Sequence, residues 1–552
     1  MKENFIEFIE NSIRENWNIN AFTDYKGESL KYSDVARRIA RIHIVLQENN
    51  IEKGDKVALI GKNSASWAVV YLATISYGAV IVPILPDFKP NDVHHIVNHS
   101  DSVLLFASES IFDTLDESKM TNLKAILSVS DLTVLSDKGN KQINKVISDL
   151  DILFEKKYNN TFGPEECSFP DVPNEDLAVI SYTSGTTGFS KGVMIPHNSL
   201  IANVVYANNN MPLQPGDNIV SFLPLAHAYG CAFEFLWPFT LGCHITLLTK
   251  TPSPQVILQA FKEIRPKLVL AVPLIIEKIY KKQILPALEK GVAGKLTNVP
   301  GLNKIIYSKI RKKLIDVFGG NFHEIVIGGA ALNKDVEIFL RKIKFPFSIG
   351  YGMTECGPLI SYANWDKARL GSAGKIVDSL EVKIDSKDPY NEVGEIFVKG
   401  ENVMMGYYKN PEATKEALDE EGWLHTGDLG LIDRDGYIYI MGRSKSMLLG
   451  PSGQNIYPEE VEAKLNNLNY IMESVVTQQD NKLVALVYPD YEAVDKDNIS
   501  EAELEKIMED HLKNMNKELP SFMNLSKILI HPEEFEKTPK KSIKRFKYTG
   551  HK

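Results

Sequence analysis

One segment, Ser181–Val193 (SYTSGTTGFSKGV), combines hydroxyl groups, glycines and a lysine directly after an apolar run. Its glycines allow the backbone to fold closely around an anion, its hydroxyl groups add hydrogen-bond donors, and Lys191 adds a positive charge. The segment therefore predicts a site for the phosphates of a nucleotide. It is not a Walker A loop, because Gly192 follows Lys191 where that motif requires Ser or Thr. A flexible surface turn is the alternative interpretation.

A second segment, Gly350–Pro358 (GYGMTECGP), contains groups that suit a nucleotide and its metal ion. Tyr351 is the last residue of a predicted strand and can stack on an adenine ring. Thr354 offers a hydroxyl group to a phosphate oxygen. Glu355 offers a carboxylate to Mg²⁺, which proteins usually hold with one or two carboxylates plus nucleotide phosphates. Core packing of Tyr351 and a surface position for Glu355 are the alternatives.

Two further residues carry functional groups in segments of their own. Asp428 lies in the sequence TGDLG, where its carboxylate can accept hydrogen bonds from both ribose hydroxyls. An Asx turn is the structural alternative for this residue. His227 lies in the largely apolar segment Ser221–Gly230 (SFLPLAHAYG), where a histidine is either a hydrogen-bonded core residue or part of a site.

The elements that must position these groups alternate along the chain. Short β-branched runs and amphipathic helical stretches predict an α/β fold with parallel sheets covered on both faces. After about Ser361, short alternating strands with Gly and Asp-Gly turns predict an antiparallel or barrel-like subdomain, and a small α+β domain follows Arg443. The predicted strands of the first region are Lys56–Gly61, Leu177–Tyr182, Asn218–Leu223, His244–Thr249, Lys267–Val272, Glu324–Gly328 and Phe347–Tyr351.

Composition excludes several classes of protein. The 552 residues are 44% hydrophobic and 24% charged, as in a globular protein with several domains. The 62 Lys and Arg residues against 71 Asp and Glu give a net charge of −9, so nucleic acid is not an expected partner. Four cysteines without a CxxC pair favour a reducing cytosol. Trp67–Pro86 is nearly uncharged, but Gly78, Pro83 and Pro86 predict a helix, a turn and a buried strand rather than a membrane span.

Seven motifs, in order along nearly the whole chain, resemble those of the acyl-adenylate-forming enzymes, which include acyl-CoA synthetases, non-ribosomal adenylation domains and firefly luciferase. The resemblance implies a large N-terminal domain of βα-layered subdomains plus a barrel-like β subdomain, followed by a small mobile α+β domain. We expect these domains at 1–443 and 444–552, with a hinge near Lys445. The other five motifs are SFLPLAHAYG, GGAAL (Gly328–Leu332), GWLHTGDLG (Gly422–Gly430), DGYIYIMGRSKSMLL (Asp435–Leu449) and FEKTPKKSIKR (Phe535–Arg545).

The resemblance also implies a reaction in two steps with ATP, Mg²⁺ and CoA. A carboxylic acid is first activated to an acyl-AMP with release of pyrophosphate, and a thiol then displaces AMP. The residues implied as catalytic are Lys541, Thr354, Glu355, Lys191 and His227, with Glu355 and Thr187 as ligands of Mg²⁺. The residues implied in nucleotide binding are Thr183, Ser184, Gly185, Thr186, Thr187, Gly188, Lys191, Gly329, Ala330, Ala331, Tyr351, Gly352, Met353, Thr354, Asp428, Arg443 and Lys445.

The tail motif departs from the family at one position. The family's lysine, which bridges the substrate carboxylate and the phosphate in the first step, directly precedes Ile/Val-x-Arg, and Ser542 stands there in this chain. A bulge of one residue would bring Lys541 into that role. The alternatives are a non-catalytic homologue that only binds a nucleotide or fatty acid, and a cationic tail that faces solvent or lipid.

The acid is expected to be a long-chain fatty acid. Amino-acid activators of the family hold the substrate ammonium with an Asp, whereas Glu234 is the only acid in His227–Phe239, so an apolar tunnel wall is expected. The insert between Tyr280 and Gly328 and the stretch Leu448–Glu462 resemble long-chain fatty acyl-CoA synthetases. A free carrier protein instead of CoA is the alternative acceptor.

A helix in this insert carries both apolar and basic side chains. It fits a membrane surface as well as an ordinary surface helix. A cytoplasmic protein with peripheral contact to the inner membrane face is therefore expected, as a monomer or a dimer. The helix places Ile305, Ile306, Ile310 and Leu314 on one side, and Lys304, Lys309, Arg311, Lys312 and Lys313 elsewhere.

Overall fold

The computed structural model describes residues 1–159, 161–184, 190–249, 253–284, 302–449, 454–479, 482–538 and 543–548. Within these ranges the chain divides into two compact units. The first, which we call the N-terminal unit, contains residues 1–183, 190–382 and 398–424. The second, the C-terminal unit, contains residues 383–397 and the described residues from 425 onward.

An eight-stranded sheet of the N-terminal unit is parallel at its centre. Lys56–Ile60 pairs with Val80–Ile84 on one side and Ser102–Ala107 on the other, in both cases parallel. These three strands are almost entirely buried, because helices cover the faces of the sheet. In spatial order the strands are Gly406–Tyr407, Ser190–Pro196, Leu177–Ser184, Val80–Ile84, Lys56–Ile60, Ser102–Ala107, Ala125–Ser128 and Val134–Ser136.

A seven-stranded sheet of the same unit is parallel except for one hairpin. Glu324–Ile327 pairs with Leu268–Ala271 and with Phe347–Ile349, parallel in both cases. The carboxyl ends of such strands meet at one edge of the sheet, where ligands of α/β proteins bind. In spatial order the strands are Phe347–Ile349, Glu324–Ile327, Leu268–Ala271, Asn218–Ser221, His244–Leu247, Asn20–Asp24 and Ser29–Lys31.

Smaller sheets complete the fold. Tyr351–Gly352, Leu359–Tyr362 and Lys375–Ile376 form an antiparallel sheet. A four-stranded sheet ends in an antiparallel pair and contains Leu380–Asp385, Gly394–Gly400, Leu424–Ile432 and Ile438–Arg443. Nearer the end of the chain are a three-stranded sheet and a short pair, made of Ile471–Gln479, Lys482–Pro489 and Leu525–Ile530, and of Leu448–Leu449 and Asn455–Ile456.

Helices surround these sheets. The α-helices are Phe5–Glu15, Tyr32–Glu48, Ala65–Tyr77, Pro90–His99, Glu109–Phe112, Lys141–Ser148, Leu150–Tyr158, His197–Asn210, Ala228–Gly230, Trp237–Leu241, Pro254–Ile264, Pro273–Ile279, Leu302–Val317, Lys334–Lys342, Pro411–Ala417, Pro458–Leu465, Tyr491–Lys496 and Glu501–Glu518. In the described ranges there are also four single 3₁₀ turns and two π-helices. The 3₁₀ turns are Glu117–Lys119, Thr354–Cys356, Ser521–Met523 and Arg545–Lys547, and the π-helices are Cys231–Leu236 and Tyr280–Ile284.

The predicted α/β fold with a large N-terminal and a smaller C-terminal part is confirmed, and each predicted strand of the first region forms. Antiparallel pairing after Ser361 is also present, between Leu424–Ile432 and Ile438–Arg443. The domain boundary at 443/444 and the hinge near Lys445 stay predictions.

The apolar segment Trp67–Pro86 folds as the sequence predicts. Helix Ala65–Tyr77 begins after Ser64, whose side chain accepts a hydrogen bond from the Trp67 N–H, and it ends at Gly78, which has a φ of 88°. The buried strand Val80–Ile84 follows. In the described part of the chain, none of the helices combines the length and the apolar character needed to cross a bilayer.

The basic helix of the insert, Leu302–Val317, corrects one expectation. Leu314 is 5% exposed and Ile306 and Ile310 are partly buried, but Ile305 is 55% exposed and does not share their face. Neighbouring helical residues point about 100° apart, so packing through Ile306 directs Ile305 toward solvent. The exposed face of this helix therefore contains an apolar side chain among lysines.

Candidate active site

The seven-stranded sheet brings predicted nucleotide-binding segments to one edge. The strand Glu324–Ile327 leads into Gly329, and its parallel neighbour Phe347–Ile349 leads into Tyr351. Because the two strands are in register, the residues that follow them leave the sheet side by side. Tyr351 is 8% exposed, whereas the loop at Gly329 is exposed. Further predicted residues follow along the chain, namely Ala330 and Ala331 after Gly329, and Gly352 and Met353 after Tyr351.

Tight packing shapes the segment after Tyr351. A Cβ atom at Gly352 would lie 2.2 Å from the carbonyl oxygen of Pro358. Gly357 adopts a φ of 60°, and a Cβ atom there would lie 2.1 Å from Oγ of Ser199. Both positions therefore exclude side chains, which fixes the course of the backbone through Thr354 and Glu355.

A single 3₁₀ turn, Thr354–Cys356, holds the predicted phosphate and metal ligands. Asn203 secures this turn, because its Nδ2 donates to the carbonyl of Cys356 at 3.3 Å and its Oδ1 accepts from the N–H of Leu359 at 3.0 Å. Thr354 is buried and Glu355 is half-buried. The turn thus presents a hydroxyl group and a carboxylate from a supported backbone.

Tyr407 joins this turn to the lysine of the phosphate-binding segment. Its hydroxyl donates to Oε1 of Glu355 at 3.0 Å, and Nζ of Lys191 lies 4.7 Å from the centre of its ring. Burial raises the pKa of Tyr407, and the charge of Glu355 raises it further, so the hydroxyl stays protonated. Nothing in the local sequence distinguishes Tyr407 from the adjacent Tyr408, so its contact with Glu355 is evident only in the structure.

The carboxylate oxygens of Glu355 are suitable ligands for a Mg²⁺ ion that is also coordinated by a nucleotide. Tyr407 occupies Oε1 of Glu355, and no hydrogen bond to Oε2 occurs within the described residues. In the same ranges no group of three or more His, Cys, Asp or Glu residues is close enough to form a metal site. One carboxylate is sufficient for Mg²⁺ when phosphate oxygens and water complete the coordination.

His227 lies at the end of the loop after the strand Asn218–Ser221. It precedes the short helix Ala228–Gly230, and its Nδ1 accepts from the N–H of Tyr229 at 3.2 Å. The hydroxyl of Tyr229 donates to the carbonyl of Val326 at 3.0 Å, and this bond ties the segment to the edge that carries Tyr351. The structure thus brings His227 to the same side of the sheet as the predicted adenine site.

Several residues of the predicted phosphate-binding segment and of the tail lie outside the described ranges. On either side of the undescribed loop, Thr183 belongs to the strand Leu177–Ser184, and Lys191 is the second residue of the strand Ser190–Pro196. The roles predicted for the connecting loop and the tail stay predictions. They concern the side chain of Ser184, and Gly185, Thr186, Thr187, Gly188 and Lys541.

The predicted ribose ligands form a pair within the C-terminal unit. Asp428 and Arg443 are opposite each other in the antiparallel strands Leu424–Ile432 and Ile438–Arg443, and Nε of Arg443 donates to Oδ1 of Asp428 at 3.0 Å. The side chain of Asp428 is 6% exposed, whereas that of Arg443 is 68% exposed. Lys445 follows two residues later and is exposed. The pair therefore links the two strands through a charge-assisted hydrogen bond.

In the described part of the tail motif, the cationic side chains are paired with carboxylates. Lys537 and Ile543 form an isolated antiparallel bridge. Nζ of Lys537 lies 2.7 Å from Glu473, Nζ of Lys544 lies 2.6 Å from Glu536, and Arg545 contacts Glu462. Hydrogen bonds from Lys544 and Lys547 lower the pKa of Glu536 to about 2. These cations stabilise the C-terminal unit rather than forming an unpaired basic tail. The pairs are Lys537–Glu473, Lys544–Glu536, Lys547–Glu536 and Arg545–Glu462.

Glu234 has a structural role. It is 0% exposed, and its Oε2 accepts hydrogen bonds from Oγ of Ser221 and from the N–H groups of Phe222 and Leu223 at 2.9–3.0 Å. Burial raises the pKa of this carboxyl well above its ordinary value. Glu234 therefore fixes the backbone at the end of the strand Asn218–Ser221.

Family comparisons match almost the entire chain. Residues 9–408 match the AMP-binding enzyme family, and residues 446–550 match the AMP-binding enzyme C-terminal domain. The long-chain-fatty-acid–CoA ligase of Escherichia coli O6:H1 is 28% identical over 83% of this chain and 80% of that protein. The 4-coumarate–CoA ligase 4 of Arabidopsis thaliana is 30% identical over 80% of this chain and 73% of that protein.

A solved structure supports the same fold. ATP-bound MatB from Rhodopseudomonas palustris aligns with a TM-score of 0.75 and 22% identity over 99% of this chain and 98% of that chain. The order of the motifs, the sheet edge that carries Tyr351 and the two family matches all indicate the same family. The chain therefore belongs to the AMP-binding enzyme family, among its adenylate-forming acid–CoA ligases.

Proposed function

We propose that this chain is an AMP-forming fatty acid–CoA ligase that acts on long-chain acids. The observation that supports adenylation most directly is the arrangement of Lys191, Tyr407 and Glu355 in one unit, with Tyr351 on the adjacent sheet edge. The named activity of the Escherichia coli relative favours long-chain acids, whereas the Arabidopsis relative is named for an aromatic acid.

The first step joins two anions, so positive charge must lower its barrier. A carboxylate oxygen of the acid attacks the α-phosphorus of ATP, the bond from that phosphorus to the bridging oxygen breaks, and pyrophosphate leaves. We assign Lys191 and Lys541 as cations toward the phosphates and Thr354 as a hydroxyl donor. Each such fixed group contributes about 3–4 kcal/mol to the stabilisation of a transition state.

Mg²⁺ would be held by Glu355, with Thr187 as a second ligand and nucleotide phosphates completing the coordination. When bound, the ion supplies positive charge to the phosphate oxygens. Glu355 is suited to this because its backbone is held by the packed 3₁₀ turn and one carboxylate oxygen is already fixed by Tyr407.

In the second step the sulfur of CoA attacks the acyl carbonyl, and the bond to AMP breaks. We propose that residues 444–552 rotate about Lys445 between the two steps, so that different surfaces meet the nucleotide. The family match that begins at residue 446 supports this boundary. Asp428 and Arg443 are assigned to the ribose in both steps.

An apolar cavity supports a hydrocarbon substrate. A space of about 30 Å³ lies next to Ala226 and Ala228, which flank His227, and next to Gly357. The π-helix Cys231–Leu236 forms part of its wall, and π-helices occur frequently at functional sites. The space is too small for a long chain, so we propose that the chain enters by displacing side chains of this π-helix.

The exposed face of Leu302–Val317 supports peripheral contact with a membrane. Ile305 projects among lysines, a pattern that binds anionic lipid by apolar insertion and charge attraction. Flotation with phosphatidylglycerol vesicles tests this contact, and exchange of the exposed lysines for glutamate should abolish it. Those exposed lysines are Lys304, Lys309, Lys312 and Lys313.

One assay separates this function from its alternatives. The protein is incubated with ATP, Mg²⁺ and butyrate, octanoate or palmitate, and CoA is added afterwards. We expect acyl-AMP with palmitate and its conversion to palmitoyl-CoA. Acyl-AMP that CoA cannot discharge would indicate a carrier protein as acceptor, and absence of acyl-AMP with every acid would indicate a non-catalytic binding protein.

A further inference from the structure

Tyr407 lies between two oppositely charged groups of the N-terminal unit. Its hydroxyl donates to Oε1 of Glu355 at 3.0 Å, and its ring centre lies 4.7 Å from Nζ of Lys191. The residue is 9% exposed, so its ring and hydroxyl are held largely out of solvent. The sequence motifs assign Tyr407 no role, and the proposed mechanism uses only its hydrogen bond to Glu355.

The backbone around Tyr407 is tied to both of its neighbours. Tyr407 pairs with Val193 in the strand that carries Lys191, and the N–H of Tyr408 donates to the carbonyl of Gly192 at 2.8 Å. In the other direction, the N–H of Met404 donates to the carbonyl of Glu355 at 2.8 Å. The segment therefore fixes the distance between the phosphate-binding strand and the 3₁₀ turn.

This position separates two groups that would otherwise attract each other. In the described ranges, Lys191 and Glu355 form no ion pair with each other. Such a pair would neutralise the charge that each is proposed to present to the nucleotide and its metal. The ring face of Tyr407 attracts the ammonium, and its hydroxyl attracts one carboxylate oxygen, so both groups are held without contacting each other.

We propose that Tyr407 is a positioning residue that orients Glu355 toward Mg²⁺ and keeps Lys191 available for the phosphates. The proposal rests on the proposed function, because it takes Glu355 as the metal ligand. It assigns the hydroxyl to Glu355 and the ring to Lys191, and these two contributions can be removed separately.

Replacement of Tyr407 by Phe removes only the hydroxyl. We expect the affinity for Mn²⁺, measured by electron paramagnetic resonance in the presence of a non-hydrolysable ATP analogue and without acid or CoA, to fall about 10-fold, as for loss of a hydrogen bond to a charged group. The KM for ATP at saturating Mg²⁺ should change little, since the aromatic ring at position 407 still contacts Lys191. Unchanged Mn²⁺ affinity would overturn the proposal.

Replacement of Tyr407 by Leu removes the ring as well. We expect Lys191 to pair with Glu355 in this variant, which should raise the KM for ATP about 10-fold in addition to weakening Mn²⁺ binding. An identical result for the Phe and Leu variants would contradict the role assigned to the ring. Melting temperatures of both variants identify any loss of binding that comes from unfolding.

Tyr408 provides a matched control. Its hydroxyl donates to Asp101 at 2.8 Å, so Tyr408→Phe removes the same kind of hydrogen bond one residue away, at a carboxylate outside the site. Mn²⁺ affinity should stay at the wild-type value in this variant, and an equal loss would show that the effect is not specific to Glu355. Wild-type protein that binds Mn²⁺ and the ATP analogue but forms no acyl-AMP would refute the proposed function while leaving the role of Tyr407 testable.

Discussion

Arg443 lies directly opposite Asp428 in an antiparallel pair of strands, and its Nε donates to Oδ1 of Asp428 across 3.0 Å. Asp428 is nearly buried while Arg443 is mostly exposed, so the arginine fixes the carboxylate from the solvent side. This charge-assisted hydrogen bond holds together the two residues that we propose as ligands of the ribose.

Replacement of Asp428 by Ala should weaken ATP binding. Loss of hydrogen bonds from ribose hydroxyls to a charged acceptor predicts a rise of about 10- to 100-fold in the KM for ATP. Wild-type protein should discriminate against 2′- and 3′-deoxy-ATP, whereas the variant should use ATP and both analogues equally poorly. Retained discrimination in the variant would place the ribose elsewhere.

The missing tail lysine predicts a gain of function. In Ser542→Lys, a lysine occupies the position that the family uses, so the rate of acyl-AMP formation should rise in a background that also carries Lys541→Ala. The single variant Lys541→Ala should lose adenylation by about 100-fold while keeping thioester formation from added acyl-AMP. Unchanged adenylation in Lys541→Ala would show that this lysine is not the bridging cation.

The apolar cavity predicts a change in chain-length preference. Ala232 lines the cavity, and Ala232→Leu would fill much of its volume of about 30 Å³. We expect kcat/KM for palmitate to fall about 10-fold and that for butyrate to change little, since only the longer chain must enter this space. Ala260→Leu, at a buried helix position outside the cavity, controls for general overpacking and should leave the ratio of the two values unchanged.

Glu324 predicts a pH dependence of stability. Burial raises its pKa to about 7, against hydrogen bonds from Tyr362 and the N–H of Trp365. The folded protein therefore keeps this proton up to about pH 7, whereas the unfolded chain releases it near pH 4.3. The free energy of unfolding must fall as the pH rises between these values, by about 4 kcal/mol in total.

The variant Glu324→Gln isolates this contribution. The variant keeps a carbonyl acceptor for Tyr362 but has no titrating proton. The melting temperature of the variant minus that of the wild type should therefore increase between pH 5 and pH 8. Melting curves recorded at several pH values provide the comparison. Parallel pH profiles for the two proteins would show that Glu324 does not titrate in this range.

The sequence was sufficient to predict the layers of the fold and the segments that gather at the sheet edge. The pattern of apolar residues within each strand and helix indicates which of its residues are buried, and this pattern is local to the element. The carboxyl ends of Glu324–Ile327 and Phe347–Ile349 lie side by side, because the two strands are parallel neighbours in the sheet. The glycines at 352 and 357 are explained only by contacts with Pro358 and Ser199.

Other features depended on contacts between distant segments. Tyr407 and Tyr408 are equivalent in the sequence, yet one hydroxyl meets Glu355 and the other meets Asp101. The structural role of Glu234 comes from its hydrogen bonds with the N–H groups of Phe222 and Leu223, which follow the strand Asn218–Ser221. Such roles are fixed by tertiary packing, which local patterns do not report.

Formation of acyl-AMP tests the central claim most directly. Purified protein is mixed with ATP, Mg²⁺ and palmitate, and the products are identified by mass spectrometry before and after CoA is added. We predict palmitoyl-AMP and pyrophosphate in the first stage, and palmitoyl-CoA with free AMP in the second. Failure to form an acyl-adenylate with palmitate or with any shorter acid would contradict the assignment of this chain as a fatty acid–CoA ligase.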